Sequence, residues 1–295
     1  MFVPKKNRIS YSLKEPAPVD ITVIIPCYND GIYINDAVNS VLHQSLLPEK
    51  IIIIDDGSDE DTLQILKKIQ SPLVQIIYQE NTGVCGARNR AIKEATTSLI
   101  LTLDADDYFE QTFIEKAYQV ISTQEKIGVV CSYYEGFRTN GALTAVIKPL
   151  GGQVHNFLVQ NNGVASALFR KSCWEAVNGY DVSFDKGYED WDFWISILKN
   201  DWEMHVIPEL LFKYRIKDKS RDQIAVALYN KELKMKIYDK HKDVYLEYID
   251  RVYAQLIFKN QESMKNIVKL KNSKEYVLGN FILSPLKYFK NKLNS

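Results

Sequence analysis

The sequence predicts an α/β fold, with a mostly parallel sheet flanked by helices and a helical C-terminal extension. Short continuous apolar runs alternate with helical patterns through the first hundred residues, which is typical of βαβ units covered on both faces. A polar group of residues directly follows each of these apolar runs. From residue 221 onward, helical patterns rich in lysine and tyrosine continue without a cluster of chemistry-bearing residues. These three observations define the fold class.

Four buried strands and three helices are predicted in the first part of the chain. The strands are expected at 21–26, 50–55, 74–78 and 98–103. The helices are expected from about residue 34 to 42, from 59 to about 69, and from 86 to 95. In such sheets, ligands bind beyond the carboxyl ends of the strands, because loops and helix N-termini converge there. The residues that follow each strand are therefore the candidates for a binding site.

The second part of the chain is predicted to be more irregular. Strands are expected at 129–133, 164–170 and 210–214, a loop-rich stretch at 135–153, and a helix from Glu189. The predicted organisation is an N-terminal arm (1–18), a main domain (19–220, with halves 19–107 and 108–220) and a helical basic region (221–295).

Composition excludes several classes of protein. With 295 residues, 46% hydrophobic residues and four cysteines, the chain is neither disordered nor a small disulfide scaffold. The cysteines lack metal-finger spacing, so we expect reduced, buried thiols and no structural zinc. The net charge of zero gives no electrostatic case for nucleic acid. Residues 1–220 hold 22 basic and 29 acidic residues, whereas residues 221–295 hold 15 basic and 8 acidic residues. The zero is therefore the sum of an acidic first part and a basic second part.

No apolar run approaches the roughly 18–20 residues needed to span a bilayer, so we expect a cytosolic protein. The basic residues near the N-terminus are not followed by the apolar region of a signal peptide. Residues 281–290 mix apolar and aromatic residues with lysines. This segment suits peripheral binding to an anionic inner membrane face, or a helical tail that packs on the main domain; both alternatives stay open.

The residues that follow the four strands carry the candidate chemistry. They are Cys27-Tyr28-Asn29-Asp30, Asp55-Asp56-Gly57-Ser58, Glu80-Asn81-Thr82-Gly83 and Asp104-Ala105-Asp106-Asp107. No GxGxxG and no P-loop is present, so a dinucleotide or P-loop phosphate site is disfavoured. Repeated carboxylates instead favour a divalent cation that bridges a diphosphate to aspartate oxygens. Asp104 and Asp106 are two residues apart and point the same way in an extended segment.

Each of these groups also has a structural interpretation. The Asp104–Asp106 pair could be a solvated acidic turn, and Ser58 or Asp59 is predicted to cap the following helix. The planar guanidinium of Arg88 is suited to bind phosphate or base edges. Alternatively, it could form a salt bridge with the carboxylates that follow the strands.

Glu189 and Asp190 lie where a helix starts, beside Trp191. A carboxylate there suits general-base chemistry on a hydroxyl, and a tryptophan face suits a sugar ring. The alternative is an acid that complements the helix dipole, with the tryptophan in the core. The helix N-terminus is also expected to lower the pKa of Asp190, which would weaken it as a base.

Taken together, these motifs resemble family 2 of the inverting glycosyltransferases, which have the Rossmann-like GT-A fold. The resemblance covers about residues 20–215. It rests on residues 23–29 (VIIPCYN), 37–44 (AVNSVLHQ), 54–58 (IDDGS), 81–83 (NTG), 87–89 (ARN), 103–107 (LDADD), 168–171 (LFRK), 178–181 (NGYD) and 187–194 (GYEDWDFW).

The resemblance implies a role for each candidate. Asp56 would contact a uracil, Asp104 the ribose or the metal shell, and Asp106 a Mn²⁺ or Mg²⁺ ion on the diphosphate. Asp190 would be the general base, with Glu189 beside it. The candidate substrate-binding residues are Pro26, Tyr28, Asn29, Asp30, Asp56, Asn81, Gly83, Arg88, Asp104, Trp191, Arg215 and Lys217.

One residue departs from the family pattern. Members often carry a histidine a few residues after a Tyr-Arg pair, as an extra metal or phosphate contact, and here Lys217 aligns with it. A charged lysine cannot ligate a metal but can pair with phosphate. The hypothesis is weaker metal binding, with Lys217 on the leaving diphosphate.

The resemblance predicts an inverting transferase that moves a hexose or N-acetylhexosamine from a UDP-sugar to a hydroxyl of a glycan or lipid-linked glycan. The expected setting is the synthesis of surface polysaccharide or lipopolysaccharide. One alternative is a sugar-nucleotidyltransferase, although the glycine-rich, basic loop of that class does not follow the first strand. Another is a non-catalytic nucleotide- or glycan-binding module, which would predict a broken Asp-x-Asp or a missing base.

Overall fold

The computed structural model describes residues 17–217 and 220–293, of which 284–293 are described by backbone alone. Two compact units divide the chain after His241. The predicted boundary near residue 220 therefore lies inside the first unit. Most of the predicted N-terminal arm, residues 1–16, lies outside the described residues.

A mixed sheet forms the centre of the first unit. Its order is β3-β2-β1-β4-β8-β6-β9-β5, with β7 paired to β6. The strands are β1 (Val19–Cys27), β2 (Pro48–Asp56), β3 (Val74–Gln79), β4 (Leu99–Thr102), β5 (Tyr108–Phe109), β6 (Ile127–Arg138), β7 (Leu143–Ile147), β8 (Leu168–Arg170) and β9 (Glu203–Ile216). Strands β1 to β4 pair in parallel, whereas β5, β7 and β8 each run antiparallel to a neighbour. The predicted α/β class is confirmed. The predicted mostly parallel pairing holds for β1 to β4, with one further parallel pair between β6 and β9 in an otherwise antiparallel second half.

Helices lie between the strands and continue beyond them. They are α1 (Gly31–Leu42), α2 (Glu60–Leu66), α3 (Gly83–Glu94), α4 (Phe113–Thr123), α5 (Lys171–Ala176), α6 (Glu189–Leu198), α7 (Arg221–Ile224), α8 (Asn230–Lys240), α9 (Lys242–Glu247), α10 (Ile249–Lys271) and α11 (Lys274–Leu293). A 3₁₀ turn covers Val154–Phe157, and a π-helical segment, Ala225–Tyr229, joins α7 to α8.

The first four strands match their predicted positions to within two residues at each end. The isoleucines of β2, from Ile51 to Ile54, are fully buried, because β2 pairs on both sides and helices pack on the sheet. A run of consecutive apolar residues is the pattern of such a strand. This is why the sequence predicts this half of the fold well.

The second half of the sheet departs from the prediction. Residues 135–153, predicted as a loop, contain the end of β6 and the edge strand β7, joined by a turn at Gly141. The β7 sequence, LTAVI, is mostly apolar but most of it is exposed, so pairing with β6 at the sheet edge rather than burial defines this strand. Strand β9 begins at Glu203 rather than near residue 210, and its register with β6 shifts around Pro208. A proline lacks the N–H that a regular ladder needs, so a bulge carries the strand past it.

The second unit consists of helices, as predicted for this part of the chain. None of its described helices, nor any of those before it, is both long and apolar enough to cross a bilayer. Many apolar side chains on α10 and the first part of α11 are exposed, including Leu256, Phe258, Leu270 and Leu278.

Candidate active site

A cavity of about 410 Å³ opens at the carboxyl ends of β1, β2 and β4, beside the N-terminus of α3. The parallel register brings these strand ends to one edge of the sheet. Ten candidate site residues line the cavity: Pro26, Tyr28, Asp30, Asp56, Asn81, Gly83, Arg88, Asp104, Asp106 and Lys217. Asn29, Glu189, Asp190, Trp191 and Arg215 are not among its lining residues.

Asp56 is held in one orientation at the end of β2. Its Oδ1 accepts hydrogen bonds from Gln79 Nε2 at 2.7 Å and from the Thr82 backbone N–H at 2.9 Å. Gly57 (φ +78°) lets the chain turn there, and a Cβ at this glycine would lie only 3.0 Å from the Asn81 nitrogen. A buried carboxylate with one oxygen fixed in this way is suited to accept a hydrogen bond from a ligand through the other.

Asn29 ties two of the strand-end loops together instead of facing the cavity. Its backbone N–H donates to Ser58 Oγ at 3.0 Å, and its side-chain Oδ1 accepts from the Asp59 N–H at 2.8 Å. Asp59 in turn caps α2 by accepting from the Thr62 N–H, as the sequence predicts. The Oδ1 of Asn29 is thus engaged by the neighbouring loop, and substrate binding by this residue stays a prediction.

Arg88 is a buried cation in the wall of the cavity. Its guanidinium lies 2.6 Å from Asp104 Oδ1 and 3.1 Å from Glu189 Oε1. Burial alone would lower the pKa of Arg88, but Asp104, Tyr180 and Glu189 hold it well above its ordinary value. The arginine is therefore always charged. The sequence left two alternatives for Arg88, a phosphate contact or a salt bridge with nearby carboxylates. The structure shows the salt bridge.

Glu189 belongs to this ion-pair network. Its Oε1 bonds both Arg88 and Arg221, and its side chain is 4% exposed. Both guanidinium groups bond the same oxygen, Oε1, so Glu189 positions the two arginines. Its predicted place in catalysis beside Asp190 stays a prediction.

Asp190 differs from its neighbour in having a neutral partner. Its Oδ2 accepts a hydrogen bond from Asn161 Nδ2 at 2.7 Å. Burial and the negative charges of Glu189 and Asp222 raise the pKa of Asp190 to about 7. The helix N-terminus was expected to lower this pKa, and the expectation is wrong because burial and like charges dominate. A carboxylate with this pKa is suited to accept a proton near neutral pH.

The loop before α6 fixes where Asp190 lies. Gly187 (φ +125°) and Tyr188 (φ +63°) both adopt left-handed backbone conformations. A Cβ on Gly187 would come within 2.8 Å of the Ala225 side chain, so a glycine is required there. The start of α6 is thereby held against the π-helical segment.

Trp191 and Arg215, which are predicted to bind substrate, are both buried and bonded within the protein. Trp191 is 4% exposed, and its Nε1 donates to the Phe157 carbonyl at 2.6 Å. Arg215 is 8% exposed; it donates to the Asp106 carbonyl and pairs with Asp36 at 2.8 Å. These contacts give both side chains a structural role, and substrate binding by either stays a prediction.

Lys217 lies among carboxylates at the rim of the cavity. Its Nζ is 2.6 Å from Asp30 Oδ1 and 2.8 Å from Asp106 Oδ2. Burial raises the pKa of Asp106, while the nearby ammonium opposes that effect. Burial alone would lower the pKa of Lys217, but Asp106 and Asp30 raise it above its ordinary value.

The structure adds residues that sequence reasoning missed. Tyr214, Arg221 and Asp222 line the cavity, and the Tyr214 hydroxyl donates to Asp222 at 3.0 Å. Arg221 and Asp222 were missed because the domain boundary was placed just before them. Asn161 was missed because its contact with Asp190, 29 positions away, leaves no local pattern in the sequence.

The four cysteines are free and buried, as predicted. Two of them, Cys27 and Cys85, line the cavity. Burial raises the pKa of each of these thiols to about 12. They are protonated at neutral pH and are therefore poor nucleophiles.

Comparison with known proteins places this site in a family. The profile of "Glycosyl transferase family 2" matches residues 22–173. An uncharacterized glycosyltransferase of Methanocaldococcus jannaschii is 26% identical over 205 residues, which cover 66% of this chain and 70% of that protein. A Bacillus subtilis glycosyltransferase assigned to teichuronic acid biosynthesis, TuaG, is 26% identical over 68% of this chain and 80% of its own length. A chondroitin synthase of Escherichia coli is 35% identical over 39% of this chain, but the match spans only 17% of the synthase.

Solved structures share the fold. S. aureus TarS 1–349 in complex with UDP superposes with a TM-score of 0.57 at 20% identity, covering 67% of this chain and 60% of that one. Its complex with UDP-GlcNAc gives a TM-score of 0.58 at 20% identity, covering 71% and 61%. The predicted GT-A fold is confirmed.

Proposed function

This chain belongs to glycosyl transferase family 2, and we propose that it transfers a sugar from a UDP-sugar to a hydroxyl of a glycan acceptor, with inversion at the anomeric carbon. The observation that carries the proposal is the placement of Asp190. This aspartate, with a pKa of about 7, interacts with Asp222, which itself lines the cavity at the strand ends. A base next to a polar, cation-bearing cavity is what direct displacement of a nucleotide requires.

The strand ends supply the donor contacts in this proposal. The uracil would bind Asp56, whose Oδ1 is already fixed by Gln79 and Thr82. Two partly exposed cations that line the cavity, Lys217 and Arg221, would face the diphosphate and its developing charge, while the buried Arg88 holds Asp104 and Glu189. Support for a UDP-sugar comes from the solved neighbours that bind UDP and UDP-GlcNAc. A hexose or an N-acetylhexosamine is the sugar class proposed.

The transfer itself follows from the position of the base. Asp190 accepts the proton of the acceptor hydroxyl, which attacks the anomeric carbon opposite the departing UDP. Asn161 holds the carboxylate by its Oδ2, which orients the other oxygen for this task.

The acceptor is proposed from the relatives. Teichuronic acid and chondroitin are polymers, and the proteins named for them are similar to 68% and 39% of this chain, respectively. A growing polysaccharide or a lipid-linked glycan is therefore the acceptor class we propose. A sugar-nucleotidyltransferase is disfavoured by the family membership. A non-catalytic module is disfavoured because both Asp-x-Asp and the base are present.

A panel of nucleotides tests the donor. UDP and UDP-GlcNAc or UDP-glucose should raise the melting temperature of the protein, while GDP and CMP should not, because Asp56 would pair with the uracil edge. The Asp56→Ala variant should lose the UDP-dependent shift. Stabilisation by GDP or CMP in place of UDP would overturn the donor assignment.

We also propose that the second unit binds an anionic membrane surface. From residue 259 to the end, the sequence has eight lysines and two glutamates. Apolar side chains beside these lysines in the sequence are exposed, with Phe258 at 60% and Leu270 at 62%. Apolar side chains beside lysines are suited to the interface of an anionic bilayer. The segment predicted for this role is 281–290, and the structure describes residues 284–290 by their backbone alone.

Co-sedimentation with liposomes tests this proposal. More protein should pellet with anionic vesicles than with neutral ones, and the triple variant K265Q/K269Q/K271Q should reduce the difference. The matched control is K67Q/K68Q/K93Q, which removes three exposed lysines from the first unit. Equal recovery with both vesicle types would refute the membrane proposal.

A further inference from the structure

Lys217 directly follows β9 and lies between two loops of the cavity rim. Asp30 comes from the loop after β1, and Asp106 from the loop after β4. The Lys217 ammonium lies within 2.8 Å of a carboxylate oxygen of each. The three side chains are between 18% and 28% exposed, so these ion pairs are partly shielded from water. The Lys217 ammonium also lies 5.2 Å from the centre of the Tyr33 ring.

These residues do not suit a divalent cation held by the protein. Mg²⁺ and Mn²⁺ require near-octahedral oxygen or nitrogen ligands. Asp106 Oδ2 is already bonded to the ammonium, and Asp104 Oδ1 lies 2.6 Å from Arg88. In the parts of the chain that the structure describes, no three histidine, cysteine, aspartate or glutamate side chains are grouped to hold a metal ion. Asp104 and Asp106 are therefore each already paired with a side-chain cation, Arg88 and Lys217, respectively.

The carboxylates of this rim create an electrostatic problem for a diphosphate. Asp30, Asp104 and Asp106 all line the cavity, and their negative charges would repel the donor. Some positive charge must therefore lie between them and the phosphate oxygens. An ammonium has three donors, so it can bond two carboxylates and retain one hydrogen for a phosphate oxygen. Lys217 has the two carboxylate bonds already.

We propose that Lys217 supplies the positive charge that a divalent cation would otherwise provide, so that UDP binds without metal. Asp30 and Asp106 then act by holding the ammonium rather than by ligating an ion. Arg221, on the same cavity, adds a second charge for the departing diphosphate. This inference rests on the proposed UDP-sugar donor, and it assigns the charge compensation at that site to a residue of this chain.

Calorimetric titration with UDP tests the inference on the full chain. Wild-type protein should bind UDP in EDTA and in Mn²⁺ with dissociation constants that agree within about threefold. Lys217→Met keeps the apolar stem beside Tyr33 but removes the charge, and it should weaken binding in EDTA by about tenfold or more, the range of a charged hydrogen bond. Lys217→Arg keeps a charge and should bind more tightly than Lys217→Met.

The variant Lys217→His provides the sharpest contrast. It offers a metal ligand in place of the ammonium, so its UDP affinity should be low in EDTA and should recover in Mn²⁺. The matched control is Lys213→Met in β9, four residues before Lys217, whose ammonium pairs with Glu135 and Glu110 outside the cavity lining. Its UDP affinity should equal that of the wild type. Circular dichroism melts confirm that each variant is folded.

The outcomes separate this inference from the proposed function. If the wild type binds UDP only when Mn²⁺ is present, the inference is wrong and the UDP-sugar donor stands. Equal affinities of the wild type and Lys217→Met in EDTA would also overturn it. If UDP binds in neither condition while another nucleotide does, the proposed donor itself fails.

Discussion

Two pairs of neighbouring carboxylates border the site, and their surroundings differ. Asp104 and Asp106 follow β4, and each bonds a cation, Arg88 in one case and Lys217 in the other. In the second pair, at the start of α6, Glu189 bonds two arginines whereas Asp190 bonds the neutral amide of Asn161. Asp190 thus differs from the other three in having no bonded cation among the described side chains.

This difference decides which carboxylate can accept a proton. Burial raises the pKa of both Asp106 and Asp190. At Asp106 the ammonium of Lys217 opposes the effect, whereas at Asp190 the charges of Glu189 and Asp222 add to it. Similar residues at similar exposure therefore take different roles, because their partners differ in charge.

The largest effect expected is at Asp190. Asp190→Asn preserves the shape of the side chain but removes the base, and should lower kcat by about 10²–10⁴-fold. Affinity for UDP should change little, since Asp190 does not line the donor cavity. Steady-state kinetics measures kcat, and calorimetry measures the affinity for UDP. The control is Asp201→Asn. Asp201 is exposed on the surface, and asparagine tolerates the positive φ of this position. Unchanged turnover in Asp190→Asn would remove the basis for the comparison.

A second expectation concerns the two arginines that share Glu189. The Arg88 side chain is 1% exposed and that of Arg221 is 40% exposed. Arg88→Met leaves two carboxylates without a buried partner and should lower the free energy of unfolding by about 3–5 kcal/mol. Arg221→Met should cost about 1 kcal/mol or less, because water screens that pair. Urea denaturation measures both. Equal losses would contradict the view that Arg88 holds the two carboxylate pairs together.

The pH profile gives the smallest but most specific effect. Because only the deprotonated base works, kcat/KM should fall about tenfold per pH unit below about pH 7. Asp222→Asn removes a negative charge that raises the pKa of Asp190, so this acidic limb should move to lower pH. Asn161→Ala removes a hydrogen bond that lowers the pKa, so the limb should move to higher pH. Shifts in the same direction for both variants would argue against Asp190 as the titrating group.

Much of the first half of the fold could be predicted because its signal is local. The isoleucines of β2 are consecutive and the strand is buried on both faces, so composition alone marks it. The edge strand β7 could not be predicted, since most of its residues are exposed and backbone pairing with β6 defines it. The start of β9 could not be predicted either, because Pro208 suggests that a strand begins after it. In the structure a bulge lets one strand continue through this proline.

The candidate site shows the same division. Ten of the predicted residues line one cavity because parallel strands must end at one edge of the sheet. The sequence could not show that Trp191 and Arg215 are buried and bonded within the protein, because a tryptophan or an arginine near a site can serve the core or a ligand, and only contacts distinguish the two. Asn161 could not be found because it meets Asp190 across 29 residues, and Arg221 because it lies just beyond the predicted boundary near residue 220.

The sequence by itself determined the fold class, the strand ends that carry polar residues, and the family resemblance. These follow from periodicities and motifs a few residues long, which the backbone translates directly into strands, turns and shared faces. Tertiary structure alone decided which carboxylate is free to accept a proton and where Lys217 lies. Those properties depend on burial and on charges brought together from remote positions, as when Arg88 meets Glu189 across 101 residues.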